Sequence, residues 1–294
     1  MQLSLFEDNQ REILLNIAYE FVLGAAFGEV DSIYAQLLES KPDDQEICAL
    51  RSELRYWHER LFGPQAQLHD PAALNSIWLE IDTIANLPLR RSVLKILIAS
   101  LQCQALPEQI YYPPRFHLGQ LLMEAGRFAE ALDSFQAALG LPELPIGRFF
   151  SWCGDALTSL RRNKEALSCY LQALTCDPAT VDLATVKNST IQNLHQSLCF
   201  EAEEAFDAED EAAWLPFWGW YKGVFDLPEP DGNSEKLLAD SLLSVPRRWW
   251  LLLQLAESAR TTSHDHHRML ELRRQMKKLN SFMFVRYLDR IRGN

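Results

Sequence analysis

The chain has 294 residues, of which 48% are hydrophobic, and a formal net charge of −12. That is ample apolar material for a buried core, in one extended array or in two compact domains. The acidic balance disfavours attachment to nucleic acid or to an anionic membrane by the surface as a whole. The longest apolar stretches, around Val93–Leu101 and Trp249–Ala256, are interrupted by Lys95 and Gln254. Both fall well short of the roughly 20 residues a membrane helix needs.

Taken in chain order, almost every segment reads as helix. Glu7, Asp8 and Glu12 stand where a secretory leader would be basic, which points to a cytoplasmic location. Ile13, Leu14, Ile17, Ala18, Phe21 and Val22 recur at the i, i+3, i+4 spacing of an apolar helical stripe. A second helix is expected from about Val30 to Leu38, stopping near Lys41-Pro42. A third is expected from Asp44 to Leu61, ended by Gly63-Pro64. Asp70-Pro71 has the form of a cap followed by a proline in the first helical turn. Helical patterns continue through Ala72–Ala85 and Leu89–Leu101. Pro107 and the Tyr111-Tyr112-Pro113-Pro114 segment break the chain. Beyond Pro178 the pattern predicts a long helix over about Leu183–Asp207, a Trp-rich helix, a Pro/Gly-rich loop over Leu227–Asn233, and two or three final helices. Sustained period-2 alternation is missing, so no sheet is expected.

One pattern is written twice. Leu118-Gly119, Leu122, Ala131, Phe135, Ala138 and Pro142-Glu143 are followed by Cys153-Gly154, Leu157, Ala166, Tyr170, Ala173 and Pro178. Gly119 and Gly154 are 35 positions apart, as are Ala131 and Ala166, Phe135 and Tyr170, and Ala138 and Ala173. Small residues at these places let two helices cross closely, within the usual 8–10 Å, and the aromatic fills the remaining space. Gly126 supplies the turn between the helices. Pairing Pro42 with Pro178 places Ala18, Val30, Tyr34 and Leu37 on the same frame as a degenerate copy.

This pattern and its period resemble the tetratricopeptide repeat. The resemblance implies an all-α fold of helix–turn–helix repeats stacked into a right-handed superhelical solenoid, with atypical flanking helices. It divides the chain into an N-terminal helical region with the degenerate copy (1–110), the two clear repeats (111–182) and a C-terminal helical region with basic capping helices (183–294). It implies a non-catalytic interaction scaffold that holds a peptide or helix of a protein partner. Carried onto this sequence, the groove positions are Phe116, Gln120, Met123 and Glu124, then Arg148, Ser151, Asp155, Thr158 and Ser159. They lack the Lys and Asn arrangement with which some family members clamp a C-terminal carboxylate.

A second resemblance lies at the N-terminus. Gln2, Leu3, Ser4, Leu5 and Phe6 are similar to the peptide with which bacterial replication and repair proteins bind the sliding clamp. The alternative reading of these residues is the first turn of the first helix, with Leu3 and Phe6 packed on the core.

The remaining features are weaker. From Arg268 to the end, eight basic residues face two acidic ones, a net of +6, and they alternate with Met269, Leu272, Met276, Leu279, Phe282, Tyr287 and Ile291. This segment is expected to cap the repeats, with a nucleic-acid contact as a third functional reading. Trp214, Phe217, Trp218 and Tyr221 share one helix face and read as core. Glu201–Glu211 is an acidic patch of solvated character. His264-Asp265-His266-His267 reads as a solvated helix start, not a metal site. The six cysteines form no C-x-x-C pair and read as buried, reduced thiols. No phosphate-binding glycine loop, nucleophile elbow or H-E-x-x-H appears. Neither enzyme activity nor a cofactor is therefore expected.

Overall fold

The computed structural model describes residues 2–240, 242–261 and 266–293, with side chains described for 10–202, 204–240, 242–260 and 266–292. These residues form α-helices and short 3-10 turns. Among them there is no strand, and one isolated bridge joins Tyr112 and Phe116. The fold is all-α, built on helix–turn–helix repeats, as the sequence implies. The chain divides into two compact units, 1–134 and 135–294.

The first unit holds α1 (Gln2–Leu23), α2 (Phe27–Ser40), α3 (Gln45–Phe62), α4 (Pro71–Glu80), α5 (Leu87–Gln102), α6 (Leu118–Glu124) and the first part of α7 (Phe128–Ala138). Three helices start where an Asx side chain can satisfy an orphan amide. Asp44 accepts from the Ile47 N–H at 3.3 Å, Asp70 from Ala72 at 3.1 Å and Asn86 from Leu89 at 3.1 Å. Helix α4 ends earlier than the expected Ala85. A 3-10 turn at Ile81–Thr83 follows it, and the Thr83 hydroxyl donates to the Glu80 carbonyl at 2.7 Å. Helix α1 packs on α2 and α5, α2 on α3, and α4 on α5. Ile47, Leu54, Trp57, Leu74, Ile77, Val93 and Leu97 are buried in this core. Asp31 of α2 clamps α3 by accepting from both Arg51 and Arg55, the shortest contacts being 2.7 and 2.8 Å. The two guanidiniums hold its carboxyl well below the usual carboxylate range.

The second unit holds α8 (Ile146–Ser159), α9 (Asn163–Cys176), α10 (Ser189–Ala202), α11 (Glu211–Tyr221), α12 (Ser234–Leu238), α13 (Val245–Thr261), α14 (His266–Leu279) and α15 (Ser281–Gly293). Helix α11 meets α9, α10, α13 and α15. A one-faced stripe was expected for it, but Trp214 through Trp220 are all buried. A helix surrounded on every side is apolar on every side. The Phe217 and Trp249 rings meet edge-on at 4.4 Å, and Trp220 stacks with Tyr287 at 6.1 Å. Aromatic pairs of this kind add stability beyond their buried area.

Helix α10 starts at Ser189 instead of the expected Leu183, and it ends at Ala202. The physical reason is Asn188, whose side-chain oxygen accepts from the Thr190 and Ile191 amides and fixes the helix start there. The cysteines also depart from expectation. Cys153 is buried, but Cys48, Cys103 and Cys176 are exposed, Cys48 on the solvent side of the start of α3 and the other two at the ends of α5 and α9.

Candidate binding surface

The two clear repeats share one turn, hydrogen bond for hydrogen bond. After α6, the Arg127 amide donates to the Leu122 carbonyl at 2.9 Å and the Gly126 amide to Met123 at 3.1 Å. After α8, Arg162 donates to Leu157 at 2.9 Å and Arg161 to Thr158 at 2.9 Å. Both are Schellman endings, in which the residue past the cap must take a left-handed conformation. Gly126 does so at φ 74°, and Arg161 does so at φ 61° despite its side chain. In each turn an arginine then staples the start of the next helix. Arg127 Nε donates to Glu130 and Arg162 Nε to Glu165, both at 2.7 Å.

The same turn follows α1. Ala26 donates to Phe21 and Ala25 to Val22, both at 3.0 Å, with Ala25 at φ 58°. Its frame matches the pairing of Pro42 with Pro178. The helix endings match as well, since the Lys41 amide bonds to Leu37 and the Asp177 amide to Ala173.

The small and aromatic positions of the repeat are internal. Ala131, Phe135 and Ala138, then Ala166, Tyr170 and Ala173, are buried, as are Ala18, Val30, Tyr34 and Leu37. Gly154 lies against the Tyr170 ring so closely that a Cβ would come within 2.7 Å of it. The Tyr170 hydroxyl donates to Asp155 at 2.6 Å.

The expected groove residues fall into three groups. Phe116, Met123, Ser151 and Asp155 are buried. Arg148, Thr158 and Ser159 are half-buried and engaged by the chain itself. Arg148 donates from its amide to the Thr180 hydroxyl at 3.1 Å and from Nε to the Thr180 carbonyl at 3.0 Å. The Asn188 side chain donates to the Thr158 hydroxyl at 3.0 Å, and the Ser159 hydroxyl donates to the Asp155 carbonyl. Asp155 also accepts from the Lys187 amide at 2.7 Å. Thus Thr180, Lys187 and Asn188 of the segment after α9 occupy much of the polar face of α8. Burial raises the Asp155 carboxyl to about 6, against the two hydrogen bonds that favour its charge. The third group is Gln120 and Glu124 of α6, half-buried and exposed respectively. No motif signalled that Thr180, Lys187 and Asn188 would take this role, because it depends on tertiary contact.

His117, which sequence reasoning passed over, organises the start of α6. It is wholly buried; its Nδ1 accepts from the Gly119 amide at 3.0 Å, and Nε2 lies 3.1 Å from the Glu108 carbonyl. Burial lowers its pKa to about 4, so the ring is neutral, with Nε2–H donating to Glu108.

The other expected contact regions are placed as follows. Helix α1 begins at Gln2, but the side chains of Gln2, Leu3, Ser4, Leu5 and Phe6 lie outside the described ones. His264 and Asp265 also lie outside the described residues. In the basic tail, Arg268 pairs with Glu235, Arg274 with Glu271 and Arg286 with Asp289. Arg273 donates to the Tyr287 hydroxyl at 2.8 Å, which in turn donates to buried Glu257 at 2.7 Å. The Arg290 guanidinium lies 4.1 Å from the Trp220 ring centre. Much of the tail's positive charge is therefore directed into its own unit. Among the described residues no helix is long and apolar enough to cross a membrane.

Comparison with known proteins agrees with the repeat geometry. The family described as tetratricopeptide repeat matches residues 113–143, the first clear copy and its turn. No curated protein and no solved structure matches the chain.

Proposed function

We propose that this chain is a scaffold that holds a peptide or helix of a protein partner on its repeat helices. Tetratricopeptide repeats support protein–protein interaction in general and are typically non-catalytic. The observation that carries the reading is the repeated turn, with the same hydrogen bonds and the same arginine staple in two successive copies. The matching turn after α1 supports counting α1–α2 as a third copy. On α6, Gln120 and Glu124 are the positions we assign to the partner, because Phe116 and Met123 beside them are buried.

A photo-crosslinking amino acid placed at Gln120 or Glu124 of the full chain tests this. The expected result is a discrete protein adduct from cell extract, and the adduct from position 120 is lost when Glu124 is changed to Lys. The five-residue match at Gln2–Phe6 supports a second reading, recruitment to the sliding clamp. In that case the adduct forms from position 5 and Leu5→Ala/Phe6→Ala abolishes it. Absence of adducts from α6 under conditions that give one at position 5 would overturn the groove assignment.

A further inference from the structure

Three metal-binding side chains meet where α10 faces the start of α11. His195 and Cys199 are spaced i, i+4 and so project from one face of α10. Glu211 opens α11. One donor atom from each of the three lies within 4.8 Å of the other two. His195 Nε2 and a Glu211 oxygen are already 2.9 Å apart. Tetrahedral zinc, with bonds of about 2.0–2.3 Å, spaces its ligands roughly 3.3–3.8 Å apart, so small rotamer shifts suffice.

The platform under these groups is braced. Leu194 and Leu198, on the flank of α10 next to these groups, are buried. The Trp218 indole donates to the Ser197 hydroxyl at 2.8 Å, and Lys222 pairs with Glu201 at 2.6 Å, tying α10 to α11. A site held on two fixed helices loses little entropy when it is filled. The three donors line an open cleft of about 480 Å³ with Phe200 and Phe206, and His195 and Glu211 are 26% and 33% exposed. A metal and one further ligand therefore have a path in.

We propose that His195, Cys199 and Glu211 form a zinc site, with water in the fourth position facing the cleft. The donor set selects the metal class. A thiolate and an imidazole suit zinc and disfavour magnesium or calcium, which prefer oxygen ligands throughout. Three protein ligands and a water in the fourth position make an open zinc site, whereas structural sites are closed by four protein ligands.

Cobalt is the probe, because it substitutes for zinc and reports its ligands optically. The full chain, stripped with a chelator, is titrated with Co²⁺ and then with Zn²⁺. The expected result is one equivalent of Co²⁺ with a thiolate-to-metal charge-transfer band in the near ultraviolet, displaced by Zn²⁺. Cys199→Ser removes that band, while a variant with Cys48, Cys103 and Cys176 all changed to Ser keeps it. His195→Gln and Glu211→Gln each weaken Zn²⁺ at least tenfold with an unchanged far-ultraviolet dichroism spectrum. Zn²⁺ also raises the melting temperature of the wild type and not of either Gln variant. A missing band, a band that survives Cys199→Ser, or Zn²⁺ affinity unmoved in both Gln variants overturns the proposal.

Discussion

A methyl group on residue 154 would meet the Tyr170 ring carbons at 2.7–2.8 Å, nearer than real Cβ contacts come. The ring has little room to retreat, since its hydroxyl is hydrogen-bonded to buried Asp155 at 2.6 Å. Gly154→Ala should therefore lower unfolding stability by about 1–3 kcal/mol, the usual cost of overpacking. Urea denaturation checks this, and a midpoint equal to that of the wild type would show that the ring moves freely. The turn before α9 makes the opposite case. Arg161 is held at φ 61°, where the first clear repeat has Gly126 at φ 74°. A non-glycine residue there costs roughly 1–2 kcal/mol, and the entropy of a flexible glycine returns part of that. Arg161→Gly should stabilise the chain by about 0.5–1 kcal/mol, while Gly126→Ala destabilises it by a similar amount. Midpoint shifts of the same sign for both would refute this account of the turn.

At the scale of an element, the start of α6 depends on a neutral histidine. The folded pKa of His117 is about 4, against 6.5 unfolded, so between those values the unfolded chain binds more protons. Stability is then full above pH 6.5 and falls as the pH drops toward 4, by up to about 3 kcal/mol. Asp155 behaves in the reverse sense. Its folded pKa of about 6 lies above the ordinary 3.8, so the folded chain binds the extra proton and stability rises as the pH falls through 6. The two trends oppose each other in the same window, and variants separate them. His117→Asn keeps an acceptor for the Gly119 amide and should remove the acid loss. Asp155→Asn should remove the acid gain. Unfolding midpoints at pH 7 and pH 5 measure both; identical pH slopes in wild type and His117→Asn would exclude the histidine as the cause. These elements also show what the sequence could reveal. The repeat register was legible because helix crossings demand small residues at Ala131, Ala166 and Gly154. The Asx cap at Asp70 was legible because capping is local. The start of α10 was not, since Asn188 caps it while also bonding Thr158 of α8. Ser151 and Asp155 are groove residues by the repeat frame, yet both are buried. The pairing of His195 and Cys199 with Glu211 needs α10 beside α11, which no spacing rule supplies.

Over the whole molecule, two compact units each carry their own buried core, and the tryptophans divide unevenly between them. Trp57 and Trp78 belong to residues 1–134, whereas Trp152, Trp214, Trp218, Trp220, Trp249 and Trp250 belong to residues 135–294. Fluorescence therefore reports mainly on the second unit, while far-ultraviolet dichroism reports on helices in both. Chains with more than one core commonly depart from a single all-or-none transition. Urea unfolding followed by the two probes should give curves that do not superimpose. Gly154→Ala, in the second unit, should move the fluorescence midpoint more than the dichroism midpoint. His117→Asn at pH 5, in the first unit, should shift the dichroism curve and leave the fluorescence midpoint close to that of the wild type. Superimposable curves, moved equally by both variants, would mean that the two cores unfold as one. The boundary between Ser134 and Phe135 falls inside α7, so the first clear repeat draws residues from both units. A partner held at Gln120 and Glu124, both in the first unit, would raise the midpoint of that unit by an amount set by the partner's concentration relative to its dissociation constant.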